Sequence, residues 1–456
     1  MEENNFAEGS MTKHIVELAI PMIVAQLINV LYNVVDRIYI GRIPDVATYA
    51  MGGLGICLPL ISIIMAFANL VGMGGGPLCS IARGRHDHEE AEAILGNSFI
   101  LLILFSIVLT IVIYLFKEPI LWAFGASENN FQYANSYISI YLIGTIFVLV
   151  ELGLNSFINA QGFGKIGMMT VLLGAVTNII LDPIFIFGLN LGVSGAAIAT
   201  VFSQMVSAIW TVQFLTGKRT ILRIKKYYFK LNGQLVRKIL TLGTSGFCMQ
   251  LTNSIVSIVC NVTLSTWGGD LYITIMTIIN SIREVAQLFG QGFANASQPV
   301  LGYNYGAGEY KRLLKGIKII TISCFSMMFI TWAVINIFPR FIFSIFTTDS
   351  ETITLGVRAC KLYFSGFFMM SFQMSGQSVA IGLGKSKQAI FFSIFRKVII
   401  VAPLTVILPY FMGTDGVFIA EAISNFIGGS ACYITMWLTI GKDIRKNAKL
   451  QEIGNG

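Results

Sequence analysis

Two polar side chains interrupt the apolar run from Thr177 to Gly188: the amide of Asn178 and the carboxylate of Asp182. Four residues apart, they share one face of a helix. A carboxylate near the middle of a bilayer costs at least about 2.5–3.5 kcal/mol. Such a group persists where something useful faces it; the plainer reading is a buried acid that ties two helices together. Earlier in the chain, Asn29, Tyr32, Asn33 and Asp36 follow i, i+3, i+4, i+7 spacing and form a polar stripe on an otherwise apolar helix. Tyr32 stands one turn before Asp36, in reach of its carboxyl group. Thr200 and Gln204, again one turn apart, add a hydroxyl and an amide. Two carboxylates with phenol, amide and hydroxyl neighbours can hold a proton, because burial and mutual repulsion disfavour two bare charges. The same oxygens suit a hard cation such as sodium. For Asp36 the plainer reading is a helix-end residue paired with Arg37 or Arg42 at the outer surface.

These residues must be positioned by membrane helices. Of the 456 residues, 55% are hydrophobic and only 12% charged; soluble proteins carry about 25% charged residues. Mean hydropathy is +0.74. The chain reads as an all-α, polytopic membrane protein, so its net charge of +8 belongs to loops and is no nucleic-acid footprint. Twelve segments approach the ~20 residues a spanning helix needs. Their cores are 15–40, 54–80, 94–116, 135–159, 167–188, 193–215, 240–266, 271–295, 316–338, 357–382, 389–411 and 416–440. The start, MEENNFAEGS, is acidic and polar, unlike a cleavable signal peptide. The seven cysteines lie in or beside apolar segments with no CxxC pair, which predicts free thiols and no zinc site.

A basic link, residues 217–238, divides six spans from six. The expected organisation is an N-terminal lobe over 14–216, a C-terminal lobe over 239–440 and a tail over 441–456. With both termini in the cytoplasm, the inner side holds 22 of the 31 Lys and Arg residues and the outer side 6. The remaining three are Arg283, Arg396 and Lys397, the last two placed near a span start. That asymmetry predicts cytoplasmic termini. The halves repeat. Gln26–Asn29 matches Gln250–Asn253, Pro77…Gly84 matches Pro299…Gly306, Gly164-Lys165 matches Gly384-Lys385, and Gly195–Ala199 matches Gly416–Ala420. Four matches in register indicate duplication along an axis normal to the membrane, a common transporter plan.

The second half does not repeat the acids: the place matching Asp182 falls near Pro403. Candidates for a substrate pocket are Asn29, Asn33, Glu151 and Gln204 in the first half. In the second they are Gln250, Asn253, Arg283, Glu284, Gln373 and Met374. Plainer readings stand beside these: Arg283 and Glu284 as a structural pair, although adjacent residues cannot share one helix face, and Glu151 and Glu421 as lone buried acids. Phe- and Met-rich stretches such as Phe364–Met370 suit varied lipophilic ligands, and equally suit lipid or a neighbouring helix. Pro183, directly after Asp182, removes a backbone hydrogen bond and marks a bending point. Gly384-Lys385-Ser386 is no phosphate loop, because position 379 is Val. The three histidines lie in the N-terminal segment or a loop. No cofactor, metal cluster or catalytic dyad is indicated, so transport energy must come from an ion gradient or a partner.

On these features the chain resembles the multidrug and toxic compound extrusion (MATE) family, over about residues 14–440. The features are the segment ending in Asp36, the Pro77…Gly84 connection and its twin, Asn178 to Gly188, and Gly192 to Thr200. The resemblance implies two six-helix lobes in a V. It also implies export of cationic or lipophilic compounds from the cell membrane in exchange for protons or sodium. It is nearest to the DinF-like, MepA-like branch, which implies that Asp36, Asn178 and Asp182 bind the coupling ion, with Tyr32 and Thr200 in support. The partners implied are small drug-like molecules and membrane lipids, with no nucleic acid, and the protein is expected to be a monomer. The NorM-type pattern needs acids on spans 7 and 10, and span 10 here has only Gln373 and Gln377. The rival from the same superfamily is a lipid-linked glycan flippase, which needs basic residues in its cavity to hold a pyrophosphate. An intramembrane transferase would need a His or paired acids at catalytic spacing, and a membrane scaffold would have no use for Asp182.

Overall fold

The computed structural model describes residues 5–44 and 46–454; residues 1–4 of the polar start lie outside them. Every regular element among the described residues is helical. In the first half the helices are α1 (Met11–Ile40), α2 (Ala47–Gly84), α3 (His88–Ala123), α4 (Phe131–Ile143), α5 (Thr145–Ala160), α6 (Gly164–Pro183) and α7 (Gly192–Thr216). The second half has α8 (Gly233–Gly306), α9 (Tyr310–Ile337), α10 (Pro339–Phe346), α11 (Ser350–Phe364), α12 (Met370–Gly382), α13 (Ser386–Ile394), α14 (Ala402–Ile407), α15 (Pro409–Met412), α16 (Thr414–Leu438) and α17 (Ile440–Gly454).

Among the described residues nine helical stretches are long and apolar enough to cross a membrane singly, and α4 with α5, bent by 58°, makes a tenth if the pair is one span. The other two expected places are filled by residues 271–306 and by α11–α12. The chain is thus a multi-pass, twelve-span protein. The bend falls at Gly144, where a Cβ would lie 2.6 Å from a methyl of Val201 on α7. A side chain there would push α7 away. The 74 residues of α8 are two helices, broken at Gly269 with φ 66° and ψ −165°, a conformation open to glycine alone.

The chain forms two compact units. One is Val24–Gly243; the other is Asn5–Ile23 together with everything from Thr244 on. Asn5–Ile23 thus packs with the C-terminal helices, and the assignment changes two residues after Pro21. Each unit has its own apolar core. One centres on α2, α3, α5 and α7. The other centres on α8, α9, α11 and α16. The seven cysteines are all free thiols. The duplication shows in the backbone as well. Left-handed residues end or begin matching helices at His86 and Gly308, Gly162 and Gly384, and Gly192 and Gly413.

The basic link is pinned to the first unit. Gln161 Oε1 accepts from the Thr220 hydroxyl (2.8 Å) and from the amides of Ile221 (2.9 Å) and Leu222 (2.7 Å). Asn97 donates to the Tyr228 carbonyl and accepts from the Asn232 amide. Lys225 pairs with Glu92 at 2.5 Å, and that hydrogen bond raises the ammonium pKa above its ordinary value.

Candidate functional site

Asp182 is the penultimate residue of α6, and the chain continues through Pro183 into a single π-helical turn, Ile184–Gly188. Proline has no N–H to give, so the regular ladder fails here and the turn widens. The carboxylate is fully buried, Asn178 is 1% exposed, and Asp36 on α1 is 8% exposed. Asn178 Nδ2 donates to Asp182 Oδ1 at 3.2 Å. The carboxyl groups of Asp36 and Asp182 stand within hydrogen-bonding reach of each other. Three oxygens of this cluster, Asp36 Oδ1, Asp182 Oδ2 and Asn178 Oδ1, are buried with no hydrogen-bond partner. Two touching carboxylates repel; the arrangement is stable with a proton or a cation between them.

Three phenols surround the acids. Tyr32 lies in the field of Asp36, Glu151 and Asp182. Tyr137 on α4 lies in the field of Asp36 and close to Thr200. Thr200 in turn donates to the Ala196 carbonyl at 3.0 Å. Tyr141, one turn on from Tyr137, faces Tyr32 and Glu151, and the two rings stack at 6.2 Å. Tyr137 and Tyr141 went unnoticed in the sequence. Their i, i+4 spacing just before the bend at Gly144 was the available signal.

The remaining candidates divide. The polar stripe of α1 does not face one way: Asp36 is buried and Asn29 half-buried, but Asn33 is exposed and donates to the Asn29 carbonyl at 2.8 Å. Gln204 is half-buried and Glu151 buried. In the second unit Gln250 is exposed and Asn253 half-buried. Arg283 and Glu284 do not pair with each other as the plainer reading had it. Arg283 Nη1 donates to Tyr363 Oη at 3.4 Å, and Glu284 is exposed on another face of α8. Gln373 Nε2 donates to Gln377 Oε1 at 3.4 Å. Met374 is 6% exposed within the apolar core, close over Gly290.

Arg396 and Lys397 are not near a span start. They lie well inside the helical stretch Ser386–Met412, on a second π-helical segment, Phe395–Val401. They are 4% and 3% exposed. Both hold Glu421 on α16: Arg396 Nη1 at 3.1 Å, Lys397 Nζ at 3.0 and 3.2 Å to its two oxygens. Arg396 also donates to Asn425 Oδ1. Sequence spacing misplaced the two cations because the helix begins at Ser386, ahead of the apolar core, and so places them about three turns into the span.

The MatE family model matches residues 21–184 and 247–407, well over half the chain. The chain belongs to the MatE family. The matched blocks fall one in each half, and the first contains Asp36, Asn178 and Asp182. This MATE chain is 25% identical over 428 residues to the multidrug export protein MepA of Staphylococcus haemolyticus (strain JCSC1435), covering 92% of this chain and 93% of that one. It is 23% identical over 435 residues to MepA of Staphylococcus aureus (strain MSSA476), covering 95% of each. Among solved structures, the outward-facing form of a multidrug resistance MATE family transporter of the MOP superfamily superposes with a TM-score of 0.91 at 24% identity, covering 98% of this chain and 99% of that one. A MATE structure in a bent conformation reaches 0.92 at the same identity and coverage. At that identity the solved structures speak to the fold.

Proposed function

We propose that this MATE chain is a secondary active exporter of lipophilic or cationic drug-like compounds, driven by inward exchange of protons or sodium. The observation that carries the reading is the set of three partnerless buried oxygens on Asp36, Asn178 and Asp182. A cation entering between the carboxyls relieves their repulsion and removes the negative field that would hold a positively charged compound. Loading the ion thereby favours release of the compound, and loss of the ion restores the acids to receive another. A coupling of about 1–3 kcal/mol between ion and compound is sufficient. The multidrug export names of the relatives support the substrate class. The 22-to-6 distribution of Lys and Arg supports a cell-membrane protein with both termini in the cytoplasm.

The flippase reading gains two buried cations in the second unit, Arg396 and Lys397, beside the half-buried Arg283 that the sequence already placed in mid-span. Arg396 and Lys397, however, are spent on Glu421, and the cavity beside Arg283 measures about 10 Å³. A pyrophosphate finds no room there, so export remains the conclusion. The test is efflux of a lipophilic cation from proteoliposomes, with a pH gradient and a sodium gradient imposed one at a time. Efflux that responds to neither gradient would overturn the exchange.

A further inference from the structure

The second unit buries more positive charge than it neutralises. Arg283, Arg396 and Lys397 gather around one carboxylate, Glu421, whose field reaches all three. Arginine does not lose its proton in proteins, so even an uncharged Lys397 leaves one positive charge in excess. The exposed Glu284 follows Arg283 in sequence, and the helix turns it to another face. Glu421 is occupied: one oxygen accepts from both Arg396 and Lys397, the other from Lys397. Arg283 is left with a long bond to Tyr363 Oη, and its Nε is buried without a partner. A guanidinium N–H buried without a partner is costly.

Beside it lies a small cavity of about 10 Å³, whose polar lining is Asn253, Ser257, Asn280, Arg283, Tyr363 and Glu421. That space holds one occupant of about water size. Two amides, a serine hydroxyl and a phenol can all turn a hydrogen toward it. We propose that this cavity is a site for a single small monatomic anion of the halide class, the counter-ion of Arg283. Glu421 in its lining is already drawn toward Arg396 and Lys397, which leaves Arg283 and the neutral donors to face the ion. The volume sets the selectivity: chloride and bromide fit, and sulfate and phosphate do not.

The experiment is thermal unfolding of the full-length purified protein in chloride, bromide, gluconate, sulfate and phosphate at matched ionic strength. Chloride and bromide should each raise the midpoint by a few degrees over gluconate, and sulfate and phosphate should not. Arg283→Gln should abolish the difference between halide and gluconate. Asn253→Asp puts a carboxylate in the cavity, so its midpoint in gluconate should rise to the halide value and its anion dependence should vanish. Because Asn253→Asp is near-isosteric, it keeps the test open should Arg283→Gln fail to fold. A bromide soak of crystals should add an anomalous peak beside Arg283. Equal midpoints in chloride and gluconate, a sulfate effect as large as that of chloride, or a cavity holding only water would each overturn the site. These readouts follow stability and not efflux, so they stand or fall separately from the exchange at Asp36 and Asp182.

Discussion

Asp36→Asn is the sharpest perturbation of the proposed exchange, because it keeps the volume of the side chain and removes its charge. The two carboxyl groups are in hydrogen-bonding reach, and both are nearly or wholly buried. Salt therefore screens the pair little. A cation between them interacts with each carboxylate by ~4 kcal/mol, taking charge centres ~4 Å apart and an effective dielectric of ~20. Removing one charge takes away one such interaction, or about three powers of ten in cation occupancy at a fixed concentration. Asp182→Asn removes the other and should match it. In efflux rate the double variant should be little worse than either single one, because a roughly thousandfold loss of cation occupancy already brings gradient-driven transport close to its floor. The assay is gradient-driven efflux of a fluorescent lipophilic cation from proteoliposomes containing equal amounts of inserted protein. Both single variants should lose at least ~10-fold in gradient-driven rate, a floor well below the calculated loss of affinity. Asn33→Ala, on the same helix but exposed, should lose nothing. Single variants that keep the full rate, or an effect that adds up in the double variant, would refute the reasoning.

Four further outcomes follow from the geometry. Pro183→Ala restores the missing donor at the π turn below Asp182; regular helix should replace the widened turn and efflux should slow, and an unchanged rate would remove Pro183 from the mechanism. Gln161→Leu strips the amides of Ile221 and Leu222 of their shared acceptor, each costing about 1–3 kcal/mol when left unsatisfied, while the Thr220 hydroxyl keeps the Leu222 carbonyl, so limited proteolysis should cut within 217–238 much faster than in the parent. Gly243→Ala would set a Cβ 1.7 Å from the Leu70 carbonyl oxygen; backbone cannot yield there, and the unfolding midpoint should fall by the equivalent of at least ~1–3 kcal/mol. Asp349 caps α11, and the Thr352 hydroxyl, then its amide, hold the carboxyl below its usual range. A depressed carboxyl stabilises the fold above the ordinary aspartate range and loses that contribution as pH falls through the lowered value. Amide exchange in the first turn of α11 should therefore be faster in Asp349→Ala than in the parent at neutral pH, with the gap closing only in strong acid.

Much of the scaffold was legible in the sequence because a membrane makes charge conspicuous. With so few charged residues in the chain, an Asp182 inside an apolar run stands out, and the spacing of Asn178 to Asp182 carries directly into a 3.2 Å hydrogen bond. The duplication was legible through short motifs, and the backbone repeats it in the paired left-handed residues. What stayed hidden depends on departures from a uniform helix. The bend at Gly144 swings α4 so that Tyr137 and Tyr141 meet acids more than a hundred residues away in sequence for Asp36, and no local period reports that. Arg396 and Lys397 were misplaced for a related reason: their depth follows from where the helix begins, which leaves no periodic trace.

Both charged clusters sit beside a widened stretch of helix, but at different places in the repeat: with Asp182 matching Pro403, one π segment follows the matched position and the other precedes it. In the first half Asp182 and Pro183 lead into the π turn Ile184–Gly188; in the second the π segment Phe395–Val401 leads into Pro403. Each widened stretch breaks the regular ladder within an apolar span, where polar side chains can be accommodated, and the two halves filled these places with side chains of opposite charge. One copy gathered acids, the other gathered cations around a single acid. An acid pair without a fixed partner is suited to letting its ion come and go. Arg396 and Lys397, tied to Glu421 by bonds of 3.0–3.2 Å, are suited to holding their arrangement. The asymmetry of charge is thus the reason to assign the proposed exchange to the first unit: Asp36 and Asp182 each keep a buried carboxyl oxygen without a hydrogen-bond partner, whereas both oxygens of Glu421 are held by Arg396 and Lys397.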